Sequence, residues 1–160
     1  MNNLSVAKSN NLIDASYKLN VQAQKLVLAC LGKIDSRPDS TPQKEVTLTA
    51  SEFSELMGIL HEGDDEIELY WIQEKAKKLK GEGAIRIVWS DRILRYICQL
   101  KSRFTTYKLR NIASLQSGHS IRLYELLMKF NATGERVIYL EDFKSALGIS
   151  DKYPEFKVLN

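Results

Sequence analysis

The feature that most limits the fold is an internal repeat. Phe53, Met57, Gly58 and Ile59 recur 90 residues later as Phe143, Leu147, Gly148 and Ile149, each set following a strand-like pair of residues and an acidic helix start. Upstream, Lys25-Leu26 has its counterpart in Arg122-Leu123 at an offset of 97, the difference arising in the shorter loop Asn131 to Gly134. Helix, strand, short helix and glycine turn are thus written near 20–58 and again near 118–148, unless two glycine-ended helices resemble each other by chance. The same supersecondary unit is used twice. The chain ends at Asn160, where the helix after the second glycine turn is expected to begin. We therefore expect a domain over 1–132, the opening of a second, truncated one over 133–160, and a longer parent protein.

The first copy is the more explicit. Val21, Leu26, Val27, Cys30, Leu31 and Ile34 follow helical spacing, with Asn20 placed to cap the N-terminus. A polar loop with two prolines, Asp35 to Lys44, leads into a short alternating strand at Glu45 to Leu48. Thr49-Ala50-Ser51-Glu52 is a capping box that starts a helix running to Met57, and Gly58 is suited to end it. After a turn, Asp64 to Lys80 reads as an amphipathic helix with Ile67, Tyr70, Trp71 and Leu79 among its apolar positions, acids leading and lysines trailing as the helix dipole favours. Ala84 to Trp89 is a strand. Helix, strand, helix-turn-helix, strand is the order of a winged helix, an α+β fold with a small antiparallel sheet that either reads DNA or serves dimerisation.

Composition agrees with a folded chain and narrows its chemistry. At 160 residues, 44% apolar and 27% charged, one sizeable core is expected, with neither disorder nor a fibrous repeat. No apolar run approaches the ~20 residues of a membrane span, and Met1 to Ser9 lacks the apolar core of a signal peptide, so a cytoplasmic protein with no membrane partner is expected. Cys30 and Cys98 lie in apolar runs without ligand spacing and read as buried thiols. The run Leu26 to Leu31 is helical core that could pair as a strand if uncovered, with Lys25 and Lys33 as flanking gatekeepers. No phosphate-cradling glycine loop, GxSxG or HExxH is present, and His61 and His119 have no evident nucleophile partner. No enzyme activity, catalytic residue, metal or cofactor is expected.

The net charge of +3 is local in origin. Residues 81–130 carry 9 basic and 3 acidic side chains, and from Arg92 to Arg110 there are six cations (Arg92, Arg95, Lys101, Arg103, Lys108, Arg110) and no acid. Such a stretch is either the footprint of a polyanion, nucleic acid first, or a solvated basic face.

The run Arg103 to Leu127, RFTTYKLRNIASLQSGHSIRLYELL, resembles the signature of bacterial plasmid replication initiators of the iteron-binding Rep family. Its marked positions are Phe104-Thr105, Tyr107, Leu109, Ser117 and the block Ile121-Arg122-Leu123-Tyr124-Glu125-Leu126. Ser9 to Ala15, Tyr17-Lys18-Leu19, Gln24-Lys25-Leu26, Phe53 to Met57, Phe143-Lys144 and Tyr153-Pro154 are similar to other family motifs. The resemblance implies the first of two tandem winged-helix domains. It also implies a protein that binds directly repeated origin sites on double-stranded DNA as a monomer, represses its own gene as a homodimer and recruits host helicase machinery. In the family, the first module dimerises and contacts DNA backbone, while the second reads most bases. One departure is visible: Lys80-Gly81-Glu82-Gly83 runs into a single strand where relatives have a two-stranded hairpin, which puts the dimer mode in question. Ala23 and Arg95 stand where Glu and Pro are commoner.

The expected DNA contacts are Arg103, Thr106, Lys108 and Arg110, where cations alternate with hydroxyls at strand-like spacing, and Lys77, Lys78 and Lys80 at the end of the second helix, whose lysines helix-dipole matching explains equally well. Arg122 is expected to pair with Glu125 rather than with DNA. Trp71 and Trp89 read as core, and His119 as a surface or capping residue. A winged-helix transcriptional regulator without a replication role, or a protein-interaction module, remains the alternative function.

Overall fold

A computed structural model describes residues 4–15, 19–57, 77–79 and 83–152. The order is β1 (Ser5–Ser9), α1 (Asn10–Asp14), α2 (Val21–Gly32), β2 (Glu45–Thr49), α3 (Ala50–Met57), β3 (Lys77–Leu79), β4 (Ala84–Val88), α4 (Asp91–Leu94), β5 (Phe104–Lys108), α5 (Arg110–Ala113), α6 (Gly118–Lys129) and α7 (Leu140–Leu147). The turn after Gly58, His61, the helix expected from Asp64, Trp71, Lys80 and Tyr153-Pro154 lie outside the described residues.

The α2 helix is the pillar of the core. Asn20 caps it, its Oδ1 accepting from the Ala23 amide at 2.8 Å, and Leu28, Ala29 and Cys30 are fully enclosed. Against α2 lie β1, β2, α3 and α6. The capping box forms reciprocally: the Glu52 amide donates to Thr49 Oγ1 at 3.1 Å and the Thr49 amide to Glu52 Oε2 at 2.8 Å. That box fixes where β2 ends and α3 begins, and Phe53, Leu56 and Met57 then face inward.

The wing differs from the expectation. Lys77 to Leu79 do not end a helix; they form β3, antiparallel to β4 with Lys77 opposite Arg86 and Leu79 opposite Ala84. The sheet order is β2-β4-β3, so the two-stranded wing is present. Lysines are good helix formers, and a sequence reading extends the helix through them. An edge strand also favours lysine, and pairing to β4 overrides the propensity.

A second, two-stranded sheet pairs β1 with β5 in antiparallel register, Ser5 opposite Lys108 and Ser9 opposite Phe104. The polar N-terminal arm is therefore partly a strand. Beyond α4 the chain continues in tight turns, and Gln99 then adopts φ 50° and breaks the helical path. The Leu100 amide then returns to Ser36 O at 2.8 Å.

The repeat is visible in the fold. The helices α2 and α6 each have 12 residues, and α3 and α7 each have 8. Gly148, at φ 71°, ends α7 in the left-handed conformation. The segment 135–139 has the strand-like sequence but no partner strand among the described residues. The α7 helix docks on α6, where Ile13, Leu126 and Ala146 form a small second core.

Candidate nucleic-acid interface

The β1–β5 ribbon has one face in the core and one toward solvent. Thr105 and Tyr107 point inward, while Phe104 and Thr106 are exposed and Lys108 is half-buried. Tyr107 meets the Tyr124 ring edge-on at 5.4 Å, and Thr105 Oγ1 donates to Asn10 Oδ1 at 2.7 Å, which anchors the strand. Opposite the outward residues stand Ser9, Ala7 and Ser5. Beside these small neighbours the Thr106 side chain is exposed.

The cations of the 92–110 stretch precede β5 in the chain, lie on it or follow it. Arg92, Arg95, Lys101, Arg103 and Arg110 are exposed. None of the six takes part in an ion pair found among the described residues, whereas Lys33, Arg37, Lys44, Arg86 and Lys129 each hold a carboxylate elsewhere on the surface. Arg95 instead covers the Tyr96 ring at 5.0 Å. Unpaired surface cations leave a positive potential that an external polyanion can neutralise.

The expected site residues occupy three kinds of backbone. Arg103 sits in a left-handed turn at φ 51°, its carbonyl accepting from the Asn10 amide at 2.7 Å. Thr106 and Lys108 share the outward face of β5, and Arg110 opens α5. Strand-like alternation thus holds for 104–108 only. Arg103 immediately precedes β5 and Lys108 ends it, with about 13 Å of strand rise from Phe104 to Lys108, so the two do not cluster. Lys77 and Lys78 belong to the wing strand β3, and Lys80 lies outside the described residues.

Other residues resolve into structural roles. Arg122 and Glu125 are both buried on α6, 3.9 Å apart, so Arg122 is directed into the protein. Lys8 joins them, its Nζ donating to Glu125 Oε2 at 2.7 Å; nothing in a polar-looking N-terminal arm signals a buried lysine. Lys25, whose pKa partial burial lowers, donates to Ala113 O at 2.6 Å. Trp89 is half-buried against the core, and His119 is exposed with Nδ1 3.2 Å from Leu147 O. Cys30 and Cys98 are buried free thiols, and burial pushes the Cys30 pKa up to about 12. Among the described residues no His/Cys/Asp/Glu group could hold a metal, and no helix is long and apolar enough to cross a membrane.

A replication initiation protein of Escherichia coli is 28% identical over 189 residues, covering 100% of this chain and 59% of that protein. The chain therefore spans well under two thirds of that relative. An uncharacterised 27.6 kDa protein of Escherichia coli is 28% identical over 165 residues, covering 82% of this chain and 69% of its own length. Among solved structures, the Pi initiator protein, crystallised in complex with iteron DNA, superposes with a TM-score of 0.66 at 20% identity over 92% of this chain and 73% of that one. That likeness establishes the winged-helix fold. The family model described as initiator replication protein, WH1, matches residues 5–68 and 59–128, and with most of its length so matched the chain belongs to the initiator replication protein family.

Proposed function

We propose that this chain is the DNA-contacting and dimerising first module, with the opening of the second, of a plasmid replication initiator. The observation that carries the reading is the unpaired basic ribbon, Arg103 to Arg110, displayed on a fold shared with an initiator crystallised on iteron DNA. In this reading Arg103, Lys108 and Arg110 neutralise phosphates and Thr106 donates to one, with Lys77 and Lys78 of the wing, and Lys80, adding contacts to the DNA backbone. The module positions the protein on duplex DNA, and most base reading falls to the second winged helix. The domain boundary is near residue 132, with α7 counted in the second module. The parent protein binds origin repeats as a monomer, represses its own gene as a homodimer and engages host helicase machinery in the cytoplasm. Strand opening then draws on binding energy and DNA deformation rather than on hydrolysis.

The test is fluorescence anisotropy of this chain with random and origin-derived duplexes over a salt series. Expected is binding with little sequence preference, the logarithm of affinity falling with log salt at a slope of roughly −3 to −5. Absence of binding at low salt removes the DNA assignment and leaves a protein-interaction module. Binding to a promoter operator, with no direct repeats near a replication origin, favours a transcriptional regulator.

A further inference from the structure

Of the outward residues of β5, Phe104 is the one that phosphate contact leaves unused. It is 42% exposed, belongs to neither hydrophobic core, and has no ring or cation stacked on it among the described residues. Strand alternation fixes its direction: Thr105 and Tyr107 turn into the protein, so Phe104 shares the outer face with Thr106 and Lys108. Opposite it on β1 stands Ser9, whose Oγ accepts the Leu12 amide at 3.2 Å to cap α1 and is too small to cover a ring. An aromatic ring left in water on a face of hydroxyls and cations gains further burial only from a partner.

The backbone beneath the ring is held on both sides. The Arg103 carbonyl accepts from the Asn10 amide at 2.7 Å, and Thr105 Oγ1 donates to Asn10 Oδ1 at 2.7 Å. The residues before and after Phe104 are thus tied to one residue at the start of α1. Across the ribbon, the Ser9 amide donates to Tyr96 O at 2.8 Å. A ring on so fixed a mount has little backbone freedom left to lose on contact, which suits it to rigid insertion. Charge selects the partner. Arg103 immediately precedes the ring, and no acid occurs from Arg92 to Arg110. A second copy docked symmetrically on this face would set its own Arg103 and Lys108 against these. A duplex brings phosphates to the cations and, between its backbones, stacked base pairs that an apolar wedge can part.

Resting on the DNA reading above, we infer that Phe104 is a wedge: with Arg103 and Lys108 on phosphates, its ring enters between neighbouring base pairs and partly unstacks them. The first module then does more than hold the DNA backbone. It loosens the duplex locally, and it favours DNA that unstacks readily rather than a particular base. The cations set the affinity and its salt dependence while the ring sets the deformation, so the two are separable by experiment.

The test uses the whole chain and duplexes carrying 2-aminopurine, a base that brightens when it loses stacking, at successive positions of one strand, alongside the anisotropy salt series. Saturation with the parent chain should brighten the probe at neighbouring positions only. A duplex with a single mismatched pair should bind roughly tenfold more tightly than the matched one, since part of the unstacking is already done. Phe104→Thr retains a strand former without the ring; it should lose both the brightening and the mismatch preference and keep the parent's salt slope. Phe104→Trp should keep all three. A probe that stays dark under the parent chain bound with its normal salt slope, or brightens equally with Phe104→Thr, overturns the wedge and leaves the DNA reading standing. No binding to any duplex at low salt overturns that reading, and the wedge with it. A dark probe together with a change in self-association of the DNA-free chain in Phe104→Thr would instead assign the ring to a contact between copies. Should Phe104→Thr not fold, Phe104→Val replaces it, and failure of both to fold would make Phe104 a folding residue and refute the proposal.

Discussion

Arg103 illustrates how a single residue combines strain with function. At φ 51° its backbone lies where a Cβ costs roughly 1 kcal/mol or more, yet the turn is needed because its carbonyl receives the Asn10 amide and thereby seats β5 beside the start of α1. Glycine would accept the conformation freely, at the expense of a more flexible unfolded chain. Arg103→Gly should therefore leave stability unchanged or raise it by up to about 1 kcal/mol in urea unfolding. In the anisotropy series the same change should weaken DNA binding and reduce the salt slope by about 1 if the side chain contacts phosphate. A stable variant with unaltered slope would remove Arg103 from the interface. Gly118 shows the opposite dependence: a Cβ there would lie 2.8 Å from Gln24 Nε2 and 3.1 Å from Leu19 O, so a side chain at the start of α6 would displace the Gln24 amide and crowd the Leu19 carbonyl.

Among the elements, α3 is the one whose boundary is written most locally. Thr49 and Glu52 satisfy each other's backbone, and Lys33 of the α2 C-cap adds a 2.9 Å contact to Glu52. The bond from the Thr49 amide, and then Lys33, hold the Glu52 carboxyl below its ordinary range. A carboxylate with a depressed folded pKa contributes stability above the unfolded value, about 4.3, and loses it as pH falls through the folded value. Glu52→Gln keeps a capping-box acceptor but has no proton to take up. Its acid unfolding curve should accordingly be shallower below about pH 4, with a modest loss at neutral pH because the site is partly exposed. A pH dependence identical to the parent would show that Glu52 is not held low. The strand β1 is the contrasting element: Ser5 to Ser9 has no strong strand signature, and its form depends on β5, about a hundred residues away.

Over the whole molecule, stability is unequally shared. Among the described residues, twenty buried side chains form the main core around α2, whereas Ile13, Leu126 and Ala146 make up the core under α7. At ~1.5–3 kcal/mol for each large side chain buried, the second cluster holds its helix far less firmly. Native-state exchange in increasing denaturant should show α7 opening sub-globally, before α2, which should open only with global unfolding. Coincident opening of both helices would mean that the buried charges at Lys8, Glu125 and Arg122 bind α7 as strongly as the main core binds α2.

What the sequence determined by itself was whatever depends on near neighbours or on repetition. The Asn20 cap, the Thr49–Glu52 box, the alternation along β5, the left-handed stop at Gly148 and the repeat joining α2–α3 to α6–α7 each rest on residues a few positions apart, or on a pattern used twice. The family was legible for the same reason, its motif being one nearly continuous run from Arg103 to Leu127. Tertiary structure alone decided the wing, because Lys77 to Leu79 suit a helix or an edge strand equally and only β4 selects between them. It also decided the dispersal of Arg103, Thr106, Lys108 and Arg110 over turn, strand and helix, and the burial of Lys8 against Glu125. Propensity and period act over a handful of residues, whereas strand pairing and the neutralisation of buried charge are settled by partners that the chain brings together only when folded.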